Sequence, residues 1–210
     1  MREGVRKRKV RSDKKRDVKP TVHISLYECI SRLSYITMTP MKDVAEYLCV
    51  RGLNSRKVIE VLSKQFRRNY FFKNTLFIGK PDRISNRVRR RTGMKKRLSI
   101  RLTQETHDRI SELAFALDMT VSSATAILLE TAAKNPDFID QYVSKHVTET
   151  LSPARKEQLK EVLRYLKKDN PYAEEITMAR LISYIIEEMK EQTIQAKKAV
   201  ESWLEQNILG

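Results

Sequence analysis

The sequence predicts a mostly α-helical protein with short β-ribbons, built from two tandem strand-helix-helix units and a C-terminal helical hairpin. Three observations carry that expectation. Residues 95–130 place a basic alternating strand before two capped helices, residues 20–49 repeat the same order of events, and the chain turns acidic and helix-periodic beyond Asn135 and Pro136. At 210 residues with 40% hydrophobic content, the chain can hold two or three small cores.

The formal charge of +16 is unevenly spread. Residues 1–19 carry ten Lys/Arg against three acids without apolar periodicity, which predicts a disordered basic tail. Residues 80–101 carry ten against one, and their first part, 80–95, reads as a basic linker. Residues 102–210 reverse the balance, thirteen against eighteen, so the front half is the part that meets a polyanion. Such runs also serve solubility or an anionic membrane, but no amphipathic basic helix accompanies the tail, which favours nucleic acid. No apolar run approaches the ~20 residues of a membrane span, and Cys29 and Cys49 form no CxxC pair. A cytoplasmic, nucleoid-associated protein is expected.

The first unit spans 20–79. Val22, Ile24 and Leu26 alternate with Thr21, His23 and Ser25, as in a half-buried strand. ISRLSYITMT at 30–39 then lies against ISELAFALDMT at 110–120 with one residue of slippage, and VAEYL at 44–48 against TAILL at 125–129. Thr39 is placed to cap a second helix with Pro40 at its first position. An extra helix, SRKVIEVLSKQFRR, and a hairpin of YFF and TLFI around Lys73 and Asn74 complete the unit. A rival for 40–79 is a winged helix-turn-helix, with a turn at RGLN where Gly52 ends the first helix.

The second unit spans 96–141. Leu98, Ile100 and Leu102 alternate with Arg97, Ser99 and Arg101, giving one packing face and one polar face. A lone strand leaves its amides unsatisfied, so it must pair, and a two-stranded antiparallel ribbon fits the DNA major groove. Thr103 caps a helix whose Ile110, Leu113, Ala114 and Leu117 share a face; after Asp118 and Met119, Thr120 caps another carrying Ala124, Ile127, Leu128 and Thr131.

Residues 95–130, opening with KKRL, resemble the ribbon-helix-helix proteins of the Arc/MetJ/CopG superfamily, over about a fifth of the chain. The resemblance implies that Arg97, Ser99 and Arg101 enter the major groove and read bases. It also implies that Val121 and Ser122, behind the Thr120 cap, grip a phosphate, with Thr120, Ser123, Lys95 and Lys96 as further phosphate contacts. The physics is independent of kinship, since free amides at the positive end of a helix attract anions. By the internal repeat, Thr21, His23 and Ser25 take the base-facing positions and Thr39, Met41 and Lys42 the phosphate-facing ones, with weaker readout for want of an arginine. The plainer reading of Arg97 and Arg101 is the solvated face of an edge strand, and that of His23 an exposed strand residue.

Beyond 141 the sequence predicts an acidic helical hairpin over 142–192 and a helical tail over 193–210. Ser152 with Pro153 and Thr177 mark helix starts, and Leu159, Val162, Leu163 and Leu166 make an apolar stripe. A third ribbon-helix-helix unit competes for this region, weakened by Glu149 where an aliphatic belongs. No HExxH, GxxxxGK[ST], GxSxG or GxGxxG occurs and the three histidines are scattered, so no catalytic residue, metal or cofactor is expected.

The function expected is sequence-specific binding of double-stranded DNA, as a transcriptional repressor or a plasmid or mobile-element nucleoprotein factor, by a homodimer, a higher oligomer or an intrachain pseudo-dimer. The alternative is an antitoxin-like or scaffold protein whose acidic C-terminal half holds a protein partner. An RNA binder is a weaker third choice, because no aromatic stacking platform adjoins the basic runs.

Overall fold

The computed structural model describes residues 15–84, 93–147, 151–172 and Leu181. Among them the chain is mostly helical, with seven helices and short antiparallel strand pairs. It divides into two compact units: residues through Tyr27 with Lys42–Ala132, and Glu28–Met41 with the residues from Ala133 onward.

The internal repeat is written in the backbone at a constant spacing of 80 residues. Helix α1 (Ile24–Thr37) matches α4 (Gln104–Leu117), and α2 (Met41–Asn54) starts 80 residues before α5 (Val121–Ala133). The first helix of each pair ends on a left-handed residue, Met38 and Asp118, both with φ 54°. The next amide closes back on the carbonyl five residues earlier, Thr39 to Ser34 at 3.1 Å and Met119 to Ala114 at 3.0 Å. The one-residue slippage suggested by the TMT and DMT strings is therefore corrected. The corner is fixed by where the backbone turns left-handed, which aligns Met38 with Asp118 and Pro40 with Thr120.

The first strand lies further upstream than the alternation of Val22, Ile24 and Leu26 implied. β1 (Arg16–Val18) and β2 (Thr21–His23) precede α1, which begins at Ile24. Leu26, Cys29, Ile30, Leu33 and Ile36 are buried at helical spacing. The period-2 signal came from the end of a strand overlapping the start of a helix. Val18, Pro20 and Val22 form the strand's inward face, and residues 16–19 belong to the ribbon rather than to the expected tail.

β1 pairs with β6 (Ile100–Leu102) and β2 with β5 (Lys95–Arg97), both antiparallel. The two ladders share one register. Passing from Val18 opposite Ile100 to Thr21 opposite Arg97 sets Lys19 against Ser99 and Pro20 against Leu98, and the Leu98 amide donates to the Pro20 carbonyl at 2.9 Å. Pro20 has no N–H to return, which interrupts the ladder at its middle. The Ile24 amide continues the register onto Met94 at 2.9 Å. The ribbon is thus completed within one chain.

Behind the ribbon, Ile100, Leu102, Ile110, Leu113, Leu117 and Leu128 are fully buried, each contributing roughly 1.5–3 kcal/mol by removal from water. The Thr103 hydroxyl caps α4 by accepting from the Thr106 amide at 3.2 Å. Gly52 of α2 faces α5 closely enough that a Cβ would lie 2.9 Å from Leu128 Cδ1 and 3.2 Å from the Cβ of Ala132. Ala132 is its own counterpart in the repeat, so the two second helices touch at equivalent positions. Gly52 does not end a helix: Arg51–Asn54 are helical, and α3 (Arg56–Ser63) follows after Ser55 alone. The RGLN turn of the helix-turn-helix reading is corrected accordingly.

The expected hairpin forms as β3 (Tyr70–Phe72) and β4 (Thr75–Phe77). The connector is clamped to the end of α4. The amides of Arg67 and Arg68 donate to the Ala116 carbonyl at 2.8 and 3.1 Å, and both guanidinium groups meet Asp118, at 2.5 and 3.0 Å. Cations at a helix C-terminus oppose its negative end.

In the second unit, α6 (Pro136–His146) starts behind Asn135, whose side chain accepts from the Asp137 amide at 3.0 Å. α7 (Pro153–Lys167) starts after Ser152 as expected, burying Leu159, Val162, Leu163 and Leu166. The Lys134 ammonium donates to the carbonyls of Tyr165 and Lys168 and covers the Tyr165 ring at 3.8 Å, closing the end of α7. Glu149 and Thr177, on which the third unit and the second hairpin helix depended, lie outside the described residues, as do the tail at 193–210 and half of the linker at 80–95.

Candidate nucleic-acid interface

In an antiparallel ribbon the pairs that exchange two backbone bonds alternate with pairs that exchange none and bring their side chains closer. The bonds at Leu98 to Pro20 and Ile24 to Met94 put the apolar pairs in the first class. The outward pairs are therefore Asp17 with Arg101, Lys19 with Ser99, Thr21 with Arg97, and His23 with Lys95. All of these are exposed except His23, which is half-buried. One narrow face thus displays two arginines, two lysines, hydroxyls and one carboxylate.

Of the residues expected to read bases, Arg97, Ser99, Arg101 and Thr21 share this face. His23 stands at its end, drawn into the turn that starts α1: its Nδ1 accepts from the Ser25 amide at 3.3 Å and meets the Ser25 hydroxyl at 2.9 Å. A side chain on Gly93, which has φ +120°, would stand 2.8 Å from His23 Nε2. Ser25 is not on the strand face, because it lies in the first turn of α1. Lys95 joins the outward row, whereas Lys96 turns away and sits over the Tyr27 ring at 4.9 Å.

The start of α5 is tied to the ribbon. The Ser122 hydroxyl donates to the Lys19 carbonyl at 2.9 Å, and the Thr120 hydroxyl caps by accepting from the Ser123 amide at 3.2 Å. The cap takes Ser123 and leaves the first amides of α5, those of Val121 and Ser122, at the helix end beside the strand. Lys42 is exposed in the first turn of α2. Thr39 and Met41 belong to the second unit, where the Thr39 hydroxyl meets the Tyr142 hydroxyl at 2.8 Å.

Sequence reasoning missed Asp17 and Lys19. Their signal was present as the alternation Val18, Pro20, Val22, masked by the basic run around it and by a proline that reads as a strand breaker. Asp17 lies 3.4 Å from Arg101, both well exposed. That geometry is worth about 0–1 kcal/mol and leaves the arginine available.

Among the described residues no group of three or more His, Cys, Asp or Glu could hold a metal ion. Burial pushes the Cys29 thiol up to about 12 and the Cys49 thiol higher still, so both are poor nucleophiles at neutral pH. Among the described residues no single helix is long and apolar enough to cross a membrane. No family model, curated protein or solved structure matches the chain.

Proposed function

We propose that this protein binds double-stranded DNA sequence-specifically by laying the ribbon of residues 16–23 and 95–102 into the major groove, and acts by occupancy as a transcriptional repressor or a plasmid or mobile-element nucleoprotein factor. The observation that carries the reading is the outward row of the ribbon, with Arg97, Ser99 and Arg101 opposite Thr21, Lys19 and Asp17 on a backbone of groove width. Arginine matches the guanine edge bidentately, and serine and threonine serve as adaptable partners. The amides of Val121 and Ser122, held beside the strand by the Ser122 bond to Lys19, would take a phosphate beside the groove. The ribbon-helix-helix resemblance of residues 95–130 agrees with this order of elements, the second half of the ribbon coming from the same chain. The basic residues at 1–14 and 80–92 would follow phosphates flanking the site.

The test is binding anisotropy at two salt concentrations, comparing DNA flanking the protein's own gene with scrambled duplex, for wild type and for Arg97→Ala/Arg101→Ala. Preference for the native DNA that the double variant loses supports ribbon readout. Salt-sensitive binding with no preference would overturn it and leave a basic anchor.

A further inference from the structure

We infer that the ribbon reads a DNA site lacking twofold symmetry, with one chain per site; this rests on the DNA-binding reading above. The backbone of the ribbon has the register of a twofold dimer. Lys19 opposes Ser99, which is also its counterpart in the 80-residue repeat, so the pseudo-twofold axis passes through that pair. Turning about it exchanges Asp17 with Arg97 and Thr21 with Arg101. In a homodimer these would be identical residues and the site palindromic. Here the mates nearest the axis all differ, Asp17 from Arg97, Lys19 from Ser99 and Thr21 from Arg101, and only Lys15 and Lys95 carry the same residue.

The difference is one of charge as well as identity. At one end of the ribbon Arg97 stands across from Thr21, with Lys95 beyond it and no acid in the row. At the other end Arg101 faces Asp17 at 3.4 Å, and Lys15, the counterpart of Lys95, is held away by Glu46 at 2.7 Å. The counterpart of Glu46 is Ala126, so no acid stands at the equivalent position to restrain Lys95. Arg97 is the unopposed guanine reader, while Asp17 repels phosphate and selects a cytosine amino group. The two half-sites must therefore differ in sequence, and the half under Arg97 must be the more stringently read.

The experiment is selection from a randomised duplex pool with the full chain and with the variant Asp17→Arg/Lys19→Ser/Thr21→Arg, which makes the outward row of the first strand match the second. Complex mass gives the number of chains per duplex, and a melt verifies that the variant, altered only at exposed positions, is folded. A non-palindromic consensus bound by one chain, which the variant converts toward a palindrome, is the result expected. Changing the base under Arg97 should then cost the wild type about 5- to 150-fold in affinity. A palindromic wild-type consensus, two chains per site, or an asymmetric consensus that the variant leaves unchanged would overturn the inference while DNA binding stands. No enrichment from the pool would overturn the DNA reading itself, and the inference with it.

Discussion

If the ribbon is completed within one chain, a disulfide across it must form within one chain and must stabilise it. Thr21 and Arg97 are directly opposed and belong to the class of pairs that exchange no backbone bonds, whose close side chains suit a disulfide. The variant Thr21→Cys/Arg97→Cys closes a loop of roughly 75 residues, for which loss of chain entropy in the unfolded state predicts about 4 kcal/mol of stabilisation. For a protein of this size each kcal/mol moves the melting temperature by roughly 2–4 °C, so oxidation should raise it by about 10 °C or more. The native thiols do not confuse the result, since Cys29 and Cys49 are fully buried and protonated at neutral pH. The assay is non-reducing electrophoresis with thermal melts of the oxidised and reduced forms. A diagonal control, Thr21→Cys/Ser99→Cys, should oxidise poorly because diagonal neighbours stand about 7–8 Å apart. A cross-link found only in covalent dimers, or one that forms as readily in the diagonal control, would refute the intrachain register.

Other consequences can be measured with single variants. Arg97→Ala should cost roughly 1–3 kcal/mol at one base position, and Asp17→Asn should strengthen binding to non-cognate duplex by removing a like charge from the phosphates while weakening the preference for the base pair under Asp17; uniform losses for the first, or weaker non-cognate binding with an unchanged preference for the second, would contradict the row as drawn. Gly52→Val should destabilise the fold by about 1–3 kcal/mol through overpacking against Leu128 and Ala132, and an unchanged urea midpoint would mean that α2 and α5 do not approach so closely. The Cys29 thiol holds its proton up to about 12 when folded but loses it near 9.0 when exposed. Between those values the unfolded chain binds fewer protons, so stability falls as pH rises above about 9. Titrating the denaturation midpoint of wild type and Cys29→Ala should show a shallower alkaline loss in the variant, and identical slopes would remove Cys29 as a contributor.

Much of this architecture was legible because its signals are local. The Thr103 cap, the short turn at Asp118 and Met119, the Thr120 cap and the Lys73-Asn74 hairpin each announce themselves within four residues, and the structure keeps all of them. The outward row of Arg97, Ser99 and Arg101 was legible for the same reason, since alternation with Leu98, Ile100 and Leu102 leaves one choice of face. The first strand was not, because Val22, Ile24 and Leu26 fit two periods at once and only the packing of α1 selects the helical one from Ile24 onward. Gly52 misled for a related reason. A glycine near a helix end usually marks a stop, but here its missing side chain makes room for another helix, and that is a fact about Leu128 and Ala132, 76 and 80 residues away.

Joining the two halves of a ribbon in one chain changes what each half is free to become. In a homodimer any substitution appears twice, so a carboxylate on the outward face would be repeated across the axis and, in the proposed DNA complex, would repel phosphate at both ends. Within one chain Asp17 can occupy one side while Arg97 occupies the other, Pro40 can stand where its counterpart Thr120 caps a helix, and Gly52 can be emptied to admit Leu128. The halves also remain together at any dilution, since the tether replaces a bimolecular step by an intramolecular one. Tethering requires that the connector not pull the strands out of register, and residues 55–84 are built against that. Ser55 caps α3, and Arg67 and Arg68 lock by backbone and side chain onto Ala116 and Asp118. Gly79 lies so close to the Arg68 backbone that a Cβ would sit 2.4 Å from it. The extra helix and hairpin therefore act as a clasp that carries the chain from the end of α2 to the end of α4, so that only a short segment remains to be spanned before the second strand begins at Lys95.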